Sequence, residues 1–146
     1  MRRTPCVGIC STTYGDLVCR GCKRFAHEVT GWNGFSEAQR DTIRMRLQEL
    51  RDGAVRETLP AMDADALMQL SRERGLDPEQ GAASLAYVVL RLALNEADLV
   101  RQAGLTLPAD LDGDGVLETL QRIDRLFLER SSAYYERAFK TPLSPA

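Results

Sequence analysis

The sequence predicts a mainly α chain, in which an N-terminal four-cysteine metal knuckle with its own helix precedes a small three-helix C-terminal bundle. Three observations predict it. All four cysteines, Cys6, Cys10, Cys19 and Cys22, fall within the first 22 of 146 residues. Several later segments open on a capping residue and continue with apolar residues at helical spacing. Nowhere do apolar and polar residues alternate long enough to argue a strand. With 44% hydrophobic and 27% charged residues, the length suits one ordinary soluble domain with a small appendage, and a large multidomain enzyme is excluded.

The first helical signal after the cysteines is Lys23-Arg24-Phe25-Ala26-His27-Glu28-Val29, expected to form a short helix with the second cysteine pair at its N-terminus, where thiolates are favoured. Ser36 and Gln39 make a capping box. The helix it starts has Ile43, Met45, Leu47 and Leu50 as an apolar side and Arg40, Arg44, Arg46 and Arg51 for a solvated or partner-facing surface. Leu59-Pro60 marks a boundary, because proline disfavours helical geometry in the residue before it. The expected domains are 1–58 and 59–146. Charge divides with them: ten Lys/Arg against seven Asp/Glu in the first, net +3, and nine against fourteen in the second, net −5.

In the second part, Asp63 or Asp65 is placed to cap a short helix carrying Leu67 and Leu70 and ending at Gly75, a residue tolerant of the left-handed terminus. Asp77-Pro78-Glu79-Gln80 repeats the start signal. From it a central buried helix is expected through Leu85, Val88, Val89, Leu92 and Val100 to Gly104. A last helix follows from about Val116 to Phe139, with Thr141 to Pro145 beyond its end. The most apolar stretch, Leu85 to Leu94, is interrupted by Arg91 and falls short of the roughly 18 residues a membrane span needs. The basic N-terminus lacks the apolar core of a secretory signal, so a cytoplasmic chain is expected.

The cysteine spacing is Cys-x3-Cys-x8-Cys-x2-Cys, two close pairs joined by a loop short enough for four sulfurs to meet at one centre. Gly8 and Gly21 sit inside the pairs, where a missing Cβ lets the backbone turn tightly and bring N–H groups to the sulfurs. Lys23 and Arg24 offset the charge. Two disulfides disagree with a reducing cytosol, and the βαβ context of a thioredoxin-like Cys-x-x-Cys is missing. Metal binding takes precedence, with Cys6, Cys10, Cys19 and Cys22 as ligands. A structural zinc ion and an iron–sulfur cluster both accept four thiolates, and the spacing alone does not choose between them.

Thr4-Pro5-Cys6-Val7-Gly8-Ile9-Cys10, then Cys19-Arg20-Gly21-Cys22-Lys23-Arg24, Glu28, Gly31-Trp32 and the Ser36 helix start together resemble a bacterial family of short cysteine proteins, domain of unknown function 1289. Its members are commonly described as predicted iron–sulfur proteins. The resemblance covers roughly residues 3–52, implies a metal-binding module and carries the four cysteines over as ligands. The loop from Ser11 to Val18 is about one residue longer than in many members. Nothing carries over to the segment from Leu59 onward.

The remaining features weigh less. His27, the single histidine, reads as a surface or packing residue, and Trp32 as packing between the knuckle and the next helix. Asp110 to Glu118 opens like a calcium loop, but position twelve is Gln121, which lacks the bidentate carboxylate; a polar turn capping the last helix is the preferred reading. No nucleophile elbow, phosphate-binding glycine loop or HExxH is present, and one histidine makes a Ser/His/Asp triad a poor assignment. The expectation is therefore a non-enzymatic, cytoplasmic metal-binding protein, zinc-containing and acting as an interaction module. A protein partner comes first and nucleic acid second, since +3 over 58 residues is modest and there is no dense basic stripe. The alternative is an iron–sulfur electron-transfer protein.

Overall fold

A computed structural model describes residues 5–7, 10–111 and 115–140. Gly8, Ile9, Asp112 to Asp114 and the tail after Lys140 lie outside the described residues. The chain is mainly helical: α1 (Ala26–Gly31), α2 (Glu37–Thr58), α3 (Ala64–Arg74), α4 (Ala82–Ala93), α5 (Leu99–Gln102) and α6 (Val116–Tyr135), with π-helical geometry continuing over Glu136–Lys140. Two residue pairs form an antiparallel ladder, β1 (Ala61–Met62) against β2 (Leu105–Thr106), with Ala61 opposite Thr106 and Met62 opposite Leu105. Strands of two residues are too short to leave an alternating pattern in sequence. Among the described residues no helix is long and apolar enough to cross a membrane.

The chain divides into two compact units. One joins residues 1–50 to residues 127–146, and the other is Arg51–Leu126. In the first, α1 and α2 are held by short caps. Ser36 donates its N–H to Gln39 Oε1 (2.8 Å) and accepts the Gln39 N–H at its own Oγ (3.1 Å), the reciprocal pair expected from the sequence. Trp32, Ile43 and Leu47 form a buried cluster with Phe35 and Phe127 against it. Phe25, fully buried, is met by Tyr135 (5.0 Å between ring centroids) and Phe139 (5.5 Å), both edge-on. The expected faces of α2 need one exchange. Met45 is exposed at 61%, while Arg46 turns inward, because it has a buried carboxylate to meet.

In the second unit, Asp63 caps α3 by accepting the Ala66 N–H (3.1 Å), and Gly75 ends it in the left-handed conformation (φ 69°). The Asp77-Pro78 signal starts a single 3-10 turn, Pro78–Gln80, with Asp77 accepting the Glu79 N–H at 2.9 Å. α4 begins only after Gly81. Nor does it run to Gly104: it stops at Ala93, where Asn95 and Glu96 donate to Leu92 and Ala93 across tight turns, and α5 is a separate element. Leu-Asn-Glu-Ala-Asp carries two residues, Asn95 and Asp98, whose side chains compete with helical backbone bonding. The core of this unit is built from Val55, Leu67, Leu85, Leu90, Leu99 and Ile123.

Gly104 is required twice over. Its φ is 67°, its carbonyl accepts the Asp63 N–H at 3.0 Å, and an added Cβ would stand 2.5 Å from Asp63 Cβ. Gly75 has the same backbone but open space around it. Gly75→Ala is therefore expected to lose roughly 1–2 kcal/mol from the left-handed backbone alone, and Gly104→Ala distinctly more. Urea denaturation of the two variants checks this; equal losses would remove the steric argument.

Candidate metal centre

The second cysteine pair lies in the turn of a small hairpin. Val18 and Phe25 form an antiparallel bridge, Cys19 N–H donates to Arg24 O at 2.9 Å, and Ala26 N–H to Leu17 O at 2.8 Å. Between them Lys23 N–H closes on Cys19 O at 2.8 Å, and Lys23 takes the left-handed conformation with φ 66°. Because of this return, the helix starts at Ala26 and not directly after Cys22, which corrects the expectation that the pair sits at a helix N-terminus. The sulfurs owe their stabilisation to the turn instead.

Cys19 is 1% exposed. Burial opposes its ionisation, yet the N–H groups of Cys22, Ser11 and Gly21, together with the Cys22 side chain, bring the thiol down to about 7. Two of these donors belong to consecutive peptide units whose carbonyl ends, Arg20 O and Gly21 O, accept from the Lys23 ammonium at 2.7 and 3.1 Å. Both peptide dipoles thus run from a cation to a sulfur, and hydrogen bonds chained in this way polarise one another. Lys23 itself is only 2% exposed and also lies over the Phe127 ring at 5.3 Å.

Cys22 is treated differently. Burial pushes its thiol up, while Arg24 pulls the other way through its side chain and its backbone N–H. The Arg24 Nε–H donates to Cys22 Sγ at 3.2 Å, and the same guanidinium covers Trp32 at 4.9 Å. Cys10 stands 2.9 Å from the Thr12 hydroxyl; this bond, with help from Thr13 and from both N–H groups, holds its thiol below the ordinary value. Cys6 and Cys10 are half-buried, and no disulfide joins any of the four.

Cys19 and Cys22 come together as a hydrogen-bonded pair. Among the described residues, however, no three His, Cys, Asp or Glu side chains are gathered closely enough to hold a metal ion. What surrounds the two sulfurs, N–H groups, a guanidinium and an ammonium, favours thiolate over thiol, the form in which cysteine binds metal. Sequence reasoning named Lys23, Arg24 and Gly21, but missed Ser11, Thr12 and Thr13, whose only signal was their position just after Cys10. His27 is exposed and packs edge-on against Phe139 at 5.1 Å. Of the acidic loop, 112–114 lie outside the described residues, and Asp110 is engaged bidentately by Arg122 at 2.6 and 3.2 Å.

The hairpin is fixed to α2 through Glu28. Its carboxylate accepts the Phe25 N–H at 2.8 Å and two Arg46 N–H groups at 2.6 Å each. Glu28 and Arg46 side chains are only 6% and 14% exposed. Removing one partner of a buried pair leaves an uncompensated charge, so Glu28→Ala is expected to cost about 3–5 kcal/mol, read from urea unfolding followed by Trp32 fluorescence. A loss near that of an exposed ion pair would contradict the assignment. In reduced, metal-free protein, thiolate ultraviolet absorbance should rise first around pH 7 as Cys19 passes from protonated below to ionised above. That step should vanish in Cys19→Ser; a first rise only in the ordinary thiol range, about 8.5, would show that the cradle does not act on the sulfur.

No curated protein and no solved structure matches the chain. Residues 4–51 match the model of the family described as "Protein of unknown function (DUF1289)", a span that holds all four cysteines, the hairpin, Glu28, Trp32 and Arg46. The match to this DUF1289 family is thus confined to the N-terminal third of the chain, and residues 52–146 lie outside it.

Proposed function

We propose that this chain is a small cytoplasmic metal-binding protein, in which a zinc ion held by Cys6, Cys10, Cys19 and Cys22 stabilises the N-terminal unit as an interaction module for a protein partner. The observation that carries the reading is the Cys19–Cys22 turn, with three N–H groups on one sulfur, the Arg24 guanidinium on the other and the Lys23 ammonium behind them. Charge supports it too. A divalent ion with four thiolates carries −2, and Lys23 and Arg24, 2% and 5% exposed, supply +2 at the same place. Buried charges are tolerated where they are paired. When bound, a zinc ion with four thiolates has no open position and contributes folding free energy rather than a reaction.

Magnitude favours a structural role. Zinc binding by small thiolate modules is worth about 10–16 kcal/mol, comparable with the whole stability of a domain, about 5–15 kcal/mol. For the partner, Val7, Tyr14 and Leu17 around the cysteines are 61%, 89% and 43% exposed, which suits a protein contact. Three of the five arginines of α2 are drawn into other work: Arg40 donates to Trp32 O and Asn33 O, Arg44 pairs with Glu37 and Asp41, and Arg46 with Glu28. Little of that positive charge is left for a phosphate backbone.

A second reading, an iron–sulfur electron carrier, draws on the same hydrogen bonds, which tune the potentials of sulfur-bound iron. Elemental analysis and an absorption spectrum of protein purified without oxygen and without added metal decide between them. About one zinc per chain with no visible absorption is expected. Iron with acid-labile sulfide and a spectrum that bleaches on reduction would replace the first reading by the second, and protein that purifies metal-free and does not gain stability from added Zn2+ would overturn both. Cys19→Ser is expected to abolish stoichiometric binding.

A further inference from the structure

The Cys19–Cys22 pair is built by its own hairpin, and a residue next to Cys10 is bonded to that hairpin. Ser11, next to Cys10, is half-buried. Its Oγ accepts the backbone N–H of Arg20 at 2.8 Å, a residue inside the second cysteine pair. Its own N–H is one of the donors to Cys19, and its carbonyl accepts the Asp16 N–H at 3.4 Å. Asp16 in turn holds the Arg20 guanidinium at 3.3 Å. Thus every polar group of Ser11 is tied either to the second cysteine pair or to the loop that leads to it.

We infer that Ser11 is a positioning residue for the metal centre: its hydroxyl latches the Cys6–Cys10 arm to the Cys19–Cys22 turn at the Arg20 amide, and so sets Cys10 in register with Cys19. This rests on the four-thiolate reading proposed above. The exposed Arg20 side chain has no share in the latch, since the bond is made by its backbone. Threonine retains the hydroxyl at the same carbon, whereas alanine removes the acceptor and leaves the fold of the turn otherwise intact. Outer groups that orient ligands typically change metal affinity about 10–100-fold when removed.

The test is a Co2+ titration of the full-length reduced protein, read by the thiolate-to-cobalt charge-transfer band and the tetrahedral d–d bands, followed by competition with Zn2+ against a chelator. For Ser11→Ala the expected result is a 10–100-fold weaker affinity for both ions, with weaker d–d intensity at equal loading and unchanged far-ultraviolet circular dichroism of the metal-free protein. Ser11→Thr is expected to stay within a few-fold of wild type. Wild-type affinity and spectrum in Ser11→Ala would overturn the latch while leaving the metal reading standing. An equal loss in Ser11→Ala and Ser11→Thr would also overturn it, because the hydroxyl would then not be the cause. If the wild-type chain itself takes no Co2+ into a thiolate site, the four-thiolate reading fails, and the latch with it.

Discussion

A single carboxylate holds the N-terminal unit in register. Glu28 receives the Phe25 N–H at the start of α1 and both terminal nitrogens of Arg46 from α2, and Phe25 is also one end of the bridge that closes the cysteine hairpin. Hairpin, short helix and long helix therefore meet at two oxygens. The Arg46 guanidinium lies 4.1 Å from the centre of the Phe25 ring, so the same cation serves as a lid on the aromatic core. The arrangement has a cost: Arg46 Nε is buried without a hydrogen-bond partner. A buried ion pair of this kind adds little net stability over a well-packed apolar pair, and is valuable for the one geometry it enforces. Here that geometry is the placement of the hairpin.

Within the hairpin, charge is ordered along a line. The Lys23 ammonium, the carbonyls of Arg20 and Gly21, the N–H groups of Gly21 and Cys22, and the Cys19 sulfur follow one another. A lysine in the left-handed conformation is unfavourable as local backbone, but it is what allows the side chain to fold back under its own turn. Arg24 performs the corresponding task for Cys22 from the other direction, and Trp32 fixes the Arg24 plane. The two cysteines are close in sequence yet electrostatically unequal, one ionising early and one late. Two anions side by side in a buried place would repel, and the unequal pair shares a hydrogen bond instead.

Features controlled by four or five neighbouring residues were legible in the sequence. The Ser36–Gln39 box, the Asp63 cap and the Gly75 terminus stand where local chemistry puts them. What the sequence did not disclose depended on distant partners. Arg46 reads as a solvated residue, although it lies at helical spacing from Ile43 and Leu50, inside the apolar stripe; only Glu28, eighteen positions earlier, makes that place tolerable for a cation. Asp77-Pro78 is a genuine start signal used up by one 3-10 turn, and the apolar run after it conceals a stop at Ala93. For the site, the cysteine spacing announced thiolate chemistry, but Ser11 acquires meaning only once the hairpin register sets it against Arg20.

The family match and the compact unit do not coincide, and the difference is informative. The match stops at residue 51, beside the point where the N-terminal part of the unit ends at Leu50, yet the unit also takes in residues 127–146. Phe25 shows why. It is fully buried, but Tyr134, Tyr135 and Phe139, the rings at 6.0, 5.0 and 5.5 Å from it, all lie outside the match, and Phe127 beside Trp32 and Lys23 does as well. A hairpin that presents an aromatic residue of this size needs apolar cover, since burying such a side chain is worth roughly 1.5–3 kcal/mol. In this chain the cover comes from the end of α6 and the π-helical stretch that follows it. The aromatic residue of the cysteine hairpin is thus covered by residues a hundred positions away in the sequence.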